Sequence, residues 1–170
     1  MLISKKLNAA INDEIGLELF ASNQYLNMAA YLEGIPLKKL AALFMKQSDE
    51  ERAHALKFVK YLNDVGGTVT IPAIDAPQAT FKSVEEVIAK SLKWEGEVTD
   101  RINQMMTMAI AEKDYAAQEF LQWLEGAGRG DVHDGQPPQD REVLWRAGPH
   151  HDRGLPLAPG LARRASDRRA

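Results

Sequence analysis

Glu51 and His54 stand three residues apart in the run SDEERAH (48–54), inside a segment otherwise suited to helix. Residues at i and i+3 lie on one face of a helix, so this carboxylate and imidazole point the same way. A glutamate and a histidine on one face can hold a metal ion, exchange a proton, or simply be solvated. The direction in which that face points decides between these.

Counting each helix in alternating steps of four and three gives the stripe that a bundle buries. The first helix yields Ile11, Ile15, Glu18, Ser22, Tyr25, Ala29 and Leu32. The second yields Leu40, Phe44, Gln47, Glu51, His54, Phe58, Tyr61 and Val65. The third yields Val84, Ile88, Ser91, Glu95, Val98, Ile102, Met105 and Ala109. Each stripe is mostly apolar, yet each carries a glutamate near its midpoint. Glu51 and His54 therefore face the core, whereas Asp49 and Arg52 face out.

A carboxylate without a counter-charge in such a core is costly, and the three stripes contain no lysine or arginine. The expected missing charge is a cation. Oxygen ligands with one imidazole suit iron or manganese, and iron adds redox chemistry. Glu-x-x-His on one helix, with single glutamates from others, is the recurring ligand pattern of dinuclear carboxylate sites in bundles. Tyr25, two turns past Glu18, is either packing or a phenol placed to bond a ligand or donate an electron. Glu50, beside the stripe, is a flanking surface acid unless a further metal position lies there. Met105, Met106 and Met108 read as core filler.

The elements that must position these residues form an all-α, four-helix bundle. Residues 4–34 lack proline, and GIP (34–36) is a stop and restart, with Pro36 suited to a first helical turn. A second helix over 37–64 ends at Gly66 and Gly67. The crossover GGTVTIPAIDAPQATF follows, extended and proline-bearing. Ser83, with Glu86 three residues on, caps a third helix that runs to about Glu112. A fourth begins near Asp114. Short turn, long crossover and short turn imply that the second and third helices run parallel.

Residues 126–170 differ in character from the domain at 1–125. They hold seven of the twelve glycines, five of the eight prolines, eight of the ten arginines and none of the eleven lysines. Gly126, Gly128 and Gly130 oppose helix, so the fourth helix is expected to be truncated or disrupted and the tail disordered. His150 and His151 within it are read as incidental. A chain of 170 residues with a net charge of −3 and no cysteine is one domain with an appendage. It has no nucleic-acid footprint, disulfide, thiolate nucleophile or cysteine-ligated cluster. The amino terminus has no secretory pattern and no run reaches membrane-spanning length, so a cytoplasmic location is expected.

The residues above, together with GLELFASNQYLNMAAYL, SDEERAHALKFVKYLNDVGG, IPAIDAP, KWEGEVTDRIN and DYAAQEFLQWL, resemble bacterial non-haem ferritin over residues 1 to about 125. The resemblance implies a 24-subunit homo-oligomeric cage. It implies that Fe(II) is oxidised by O2 or H2O2 at a dinuclear centre in each subunit and stored as a ferric mineral, without haem. It also implies that Glu18, Glu51 and His54 make the first iron site, that Glu51 bridges to a second completed by Glu95, that Tyr25 lies beside the centre, and that Glu50 belongs to a third site. Other readings are a rubrerythrin-like peroxidase, a DNA-protecting mini-ferritin and a non-catalytic helical assembly. The first lacks its Cys-x-x-Cys module and a Glu-x-x-His on the third helix. Mini-ferritins place their ligands between subunits. Arg52 stands where a bacterioferritin would carry its haem-ligating methionine.

Where the family continues its fourth helix through an E-Q-x-E-E segment and adds a short fifth, this chain reads EGAGRGDVHDG, with Asp131 near an expected ligand position. Gly126–Gly135 can be encoded as GGAGCAGGTCGAGGAGATGTCCACGATGGC, which read one nucleotide later gives EQVEEMSTM. The tail is therefore read as a frame-shifted translation. Sequencing the gene and weighing the purified chain tests this. The expected outcome is a shifted frame at residue 126, and an unshifted gene whose product has the full 18.9 kDa mass would overturn it.

Overall fold

The computed structural model describes residues 3–128, with side chains described to residue 124. Among the described residues there are four helices: α1 (Lys5–Glu33), α2 (Lys38–Asp64), α3 (Val84–Glu112) and α4 (Tyr115–Gly128). Each start has a local cause. The Ser4 hydroxyl accepts from Leu7 N at the head of α1, and Ser83 accepts from Glu86 N at the head of α3. Glu86 reaches back to Lys82 N, one residue before the cap, so the expected pairing of Ser83 and Glu86 holds in a slightly longer form. Asp114 caps α4 by accepting from Ala117 N. Lys113 in the left-handed region (φ 55°) turns the chain between α3 and α4.

Two boundaries differ from the sequence-based expectation. Pro36 lies in the turn before α2 rather than in its first turn: Leu37 is the N-cap, at φ −121° and ψ 45°, and its N–H donates to Ile35 O. The fourth helix continues through Gly126 to Gly128. Each glycine costs about 1 kcal/mol inside a helix, and the last three residues of α4 include two of them, Gly126 and Gly128. The tail over 129–170, with Asp131 and the two neighbouring histidines, lies outside the described residues.

Contacts fix the directions of the helices. Glu18 of α1 meets His54 of α2, and Ser22 meets Ser48, so the first pair is antiparallel. Tyr25 meets Ser91, and Glu14 meets Arg101, so α3 is also antiparallel to α1. Hence α2 and α3 are parallel, and the crossover must travel the length of the bundle. It is lashed to α1 along the way. Asn8 and Asn12 bond the backbone of Thr68 and Thr70, and Gln24 and Asn27 bond that of Gln78. Gly66 leaves α2 at φ +68°, a conformation that favours glycine.

The interior divides into two apolar clusters. One gathers Leu7, Ile11 and Ile15 with Phe58, Leu62, Met105 and Leu121, and it takes in all four helices. The other gathers Tyr25, Met28 and Leu32 with Phe44, Phe81 and Val87, without α4. Burial of the counted stripes follows the expectation: none of their residues is fully exposed. Phe120 joins α4 to α2 by stacking on Tyr61 and meeting Phe58 edge-on.

One close approach is decisive for the strap. A Cβ built on Gly16 would run into the Pro72 ring of the crossover. Gly16→Ala is therefore expected to lower stability by about 1–3 kcal/mol, seen as a fall in the thermal midpoint. An unchanged midpoint would mean that the strap yields freely.

Candidate metal centre

Between the two apolar clusters lies a belt of acids. Glu18 on α1 and Glu51 on α2 are 2% and 7% exposed, and His54 is partly buried one turn beyond Glu51. The His54 Nδ1 is 3.2 Å from Glu51 Oε2 and 4.0 Å from Glu18 Oε2. One ligand atom from each of the three lies within 4.8 Å of the other two. Two ligands bound about 2.1 Å from one ion are at most about 4.2 Å apart. A side-chain shift of under about 1 Å would therefore bring all three onto one cation.

The electrostatics point the same way. Glu18 Oε2 is buried without a hydrogen-bond partner among the described residues. Burial, and then the negative charge of Glu51, raises the Glu18 carboxyl well above its ordinary range. A metal-free site thus favours protonation, and a cation would supply the positive charge that the fold withholds. Two carboxylates and an imidazole are hard and borderline donors, a set that fits iron or manganese.

The other residues expected at the site are placed differently. Glu95 on α3 accepts from Tyr25 Oη at 3.0 Å, and the Tyr25 hydroxyl is also 3.2 Å from Ser91 Oγ. Tyr25 is 2% exposed, and burial, with the charge of Glu95, pushes its phenol well above the usual range. It is a hydrogen-bonded phenol, not packing alone. Glu95 is close enough to add to the field on Glu18, but it lies outside the close trio. Glu50 stands apart, half-exposed, beside Lys46 at 3.2 Å and accepting from Gln47.

Counting stripes missed Glu14 and Arg101. Glu14 is fully buried and accepts from Arg101 Nε at 2.7 Å, so the belt has one positive partner that no stripe contains. The spacing in Glu14-Ile-Gly-Leu-Glu18 carries the signal, because i and i+4 share a face.

A pH dependence follows. With its folded-state value raised, the Glu18 carboxyl contributes stability that is full below the unfolded value near 4.5 and is lost as pH rises through the folded value. Glu18→Gln is expected to stabilise the metal-free protein near neutral pH, by roughly 2–4 °C in midpoint per kcal/mol relieved, and to change little below 4.5. Thermal melts at the two pH values check this; equal effects at both would refute it.

The Ferritin-like domain family matches residues 8–126. The bacterial non-heme ferritin of Staphylococcus aureus is 38% identical over 123 residues, covering 72% of this chain and 74% of that protein. The Staphylococcus epidermidis protein of the same name is 37% identical over the same span. Among solved structures, an open-pore ferritin from the hyperthermophilic archaeon Archaeoglobus fulgidus superposes with a TM-score of 0.75 at 29% identity, covering 85% of this chain and 84% of that one. An engineered closed form of that ferritin gives 0.74 at the same identity, covering 85% and 83%. Four helices with a long crossover, an acid belt at mid-bundle and a family match across most of the chain agree: this chain belongs to the ferritin-like domain family.

Proposed function

We propose that the chain stores iron, oxidising Fe(II) to Fe(III) at a dinuclear carboxylate site within each subunit and laying it down as a ferric mineral inside a homo-oligomeric cage. Iron is the substrate and cargo. The observation that carries this reading is the trio Glu18, Glu51 and His54 around the unpartnered Glu18 oxygen, in a chain whose named relatives are non-heme ferritins.

Each residue has a part in the proposal. Glu18 and His54 hold the first iron. Glu51, central to the belt, bridges to a second iron that Glu95 completes. The Tyr25 phenol steadies Glu95 through its hydrogen bond and stands ready as an electron donor. Glu50, half-exposed at the edge of the belt, belongs to a third iron position. Anionic oxygen donors favour the higher oxidation state. Two neighbouring Fe(II) ions together give up two electrons, which reduce O2 with two protons to hydrogen peroxide, or hydrogen peroxide with two protons to water. Among the described residues no helix is long and apolar enough to cross a membrane, and a cytoplasmic store is the proposed setting.

Anaerobic titration with Fe(II), followed by oxygen, tests the reading. Two irons bound per chain and oxidation well above the buffer rate are expected. Glu51→Ala is expected to bring oxidation down to that rate with little loss, or even a gain, in metal-free stability, since it removes a buried acid. Unchanged kinetics in Glu51→Ala would sink the bridging role.

A further inference from the structure

One turn before Glu18 on α1, the two carboxylate oxygens of Glu14 have different fates. Oε2 accepts from Arg101 Nε of α3, while Oε1 is buried with no hydrogen-bond partner among the described residues. The Glu14 side chain is 1% exposed and that of Arg101 is 40% exposed. The carboxylate is fixed in the interior, and the cation reaches it from the surface. An arginine that fully satisfied this carboxylate would bond both oxygens side by side; this one leaves an oxygen bare. A buried, unpaired carboxylate oxygen is costly, and it calls for a ligand.

Its surroundings indicate which kind. Glu14 and Glu18 share a helix face, one turn apart; Glu14 feels the negative charge of Glu51, and Glu18 feels that of both Glu14 and Glu51. An anion would be repelled there, and a neutral group would leave the field uncompensated. We propose that Glu14 is a further cation ligand, adding a position for a divalent cation beside Glu18 and Glu51, and that Arg101 occupies this position when no cation does. The inference rests on reading the neighbouring trio as a cation site. When a cation arrives, the guanidinium swings to the solvent that already reaches it, and both Glu14 oxygens become available. The exchange swaps one positive charge for two beside three acids.

Zn(II), which undergoes no redox change, is the probe. The full metal-free chain is titrated calorimetrically, alongside Glu14→Gln, Arg101→Gln and Glu51→Ala. Glu14→Gln is expected to lose one binding event per chain while keeping those that Glu51→Ala abolishes. Arg101→Gln is expected to tighten the same event by about tenfold or more, the scale on which a neighbouring positive charge acts on a carboxylate. Native numbers of events and affinities in Glu14→Gln, or an unchanged affinity in Arg101→Gln, would overturn the proposal. Should Glu14→Gln lose its helical signal, Arg101→Gln decides alone, since it leaves every buried acid in place. Failure of the iron-storage reading looks different: there Glu51→Ala binds Zn(II) as the native chain does.

Discussion

Negative charge held at mid-bundle, with too little positive charge among the described residues to match it, is the constraint around which this fold is arranged. Glu14, Glu18 and Glu51 are all buried, and Arg101 touches only the first of them. Such a belt lowers the stability of the metal-free protein, because each acid must protonate or remain ionised at a cost. The two apolar clusters on either side repay that cost. The belt is therefore a place where a cation would relieve a cost that the fold otherwise bears.

Keeping those acids at one height takes more than helices. Ser22 and Ser48 exchange hydrogen bonds with each other's carbonyls across α1 and α2, at 2.8 and 2.7 Å. This fixes the relative slide of the two helices one turn from Glu18. On the other side, Tyr25 joins Ser91 and Glu95, and Phe20 packs against Trp94, so α3 is registered against α1. The glutamates come from three helices, and their common level is the product of these cross-links.

Much of this was legible in the sequence, since helical period alone decides which residues face inward. Glu18, Glu51 and His54 fell on counted stripes and came together. Glu95 fell on one too, but its distance from the trio depends on how α3 is rotated, which no single-helix pattern encodes. Glu14 escaped because the count stepped from Ile11 to Ile15 and passed beside it; its burial depends on Arg101, 87 residues away. Pro36 suited either a turn or a helix start, and the choice was made by the backbone of Leu37. Gly126, Gly128 and Gly130 read as opposing helix, yet α4 takes in the first two, since glycine weakens a helix without forbidding it.

The crossover carries a separate consequence, for how the molecule opens. Its ties to α1 join positions 51 to 60 residues apart, whereas the serine cross-link of the first hairpin spans 26. The amides of Thr68, Thr70 and Gln78 owe their bonds to side chains of α1, not to any helical ladder. Undocking this one segment exposes those three amides to solvent hydrogen exchange together and leaves the backbone bonding within the helices intact. The strap is thus a unit of partial unfolding in its own right.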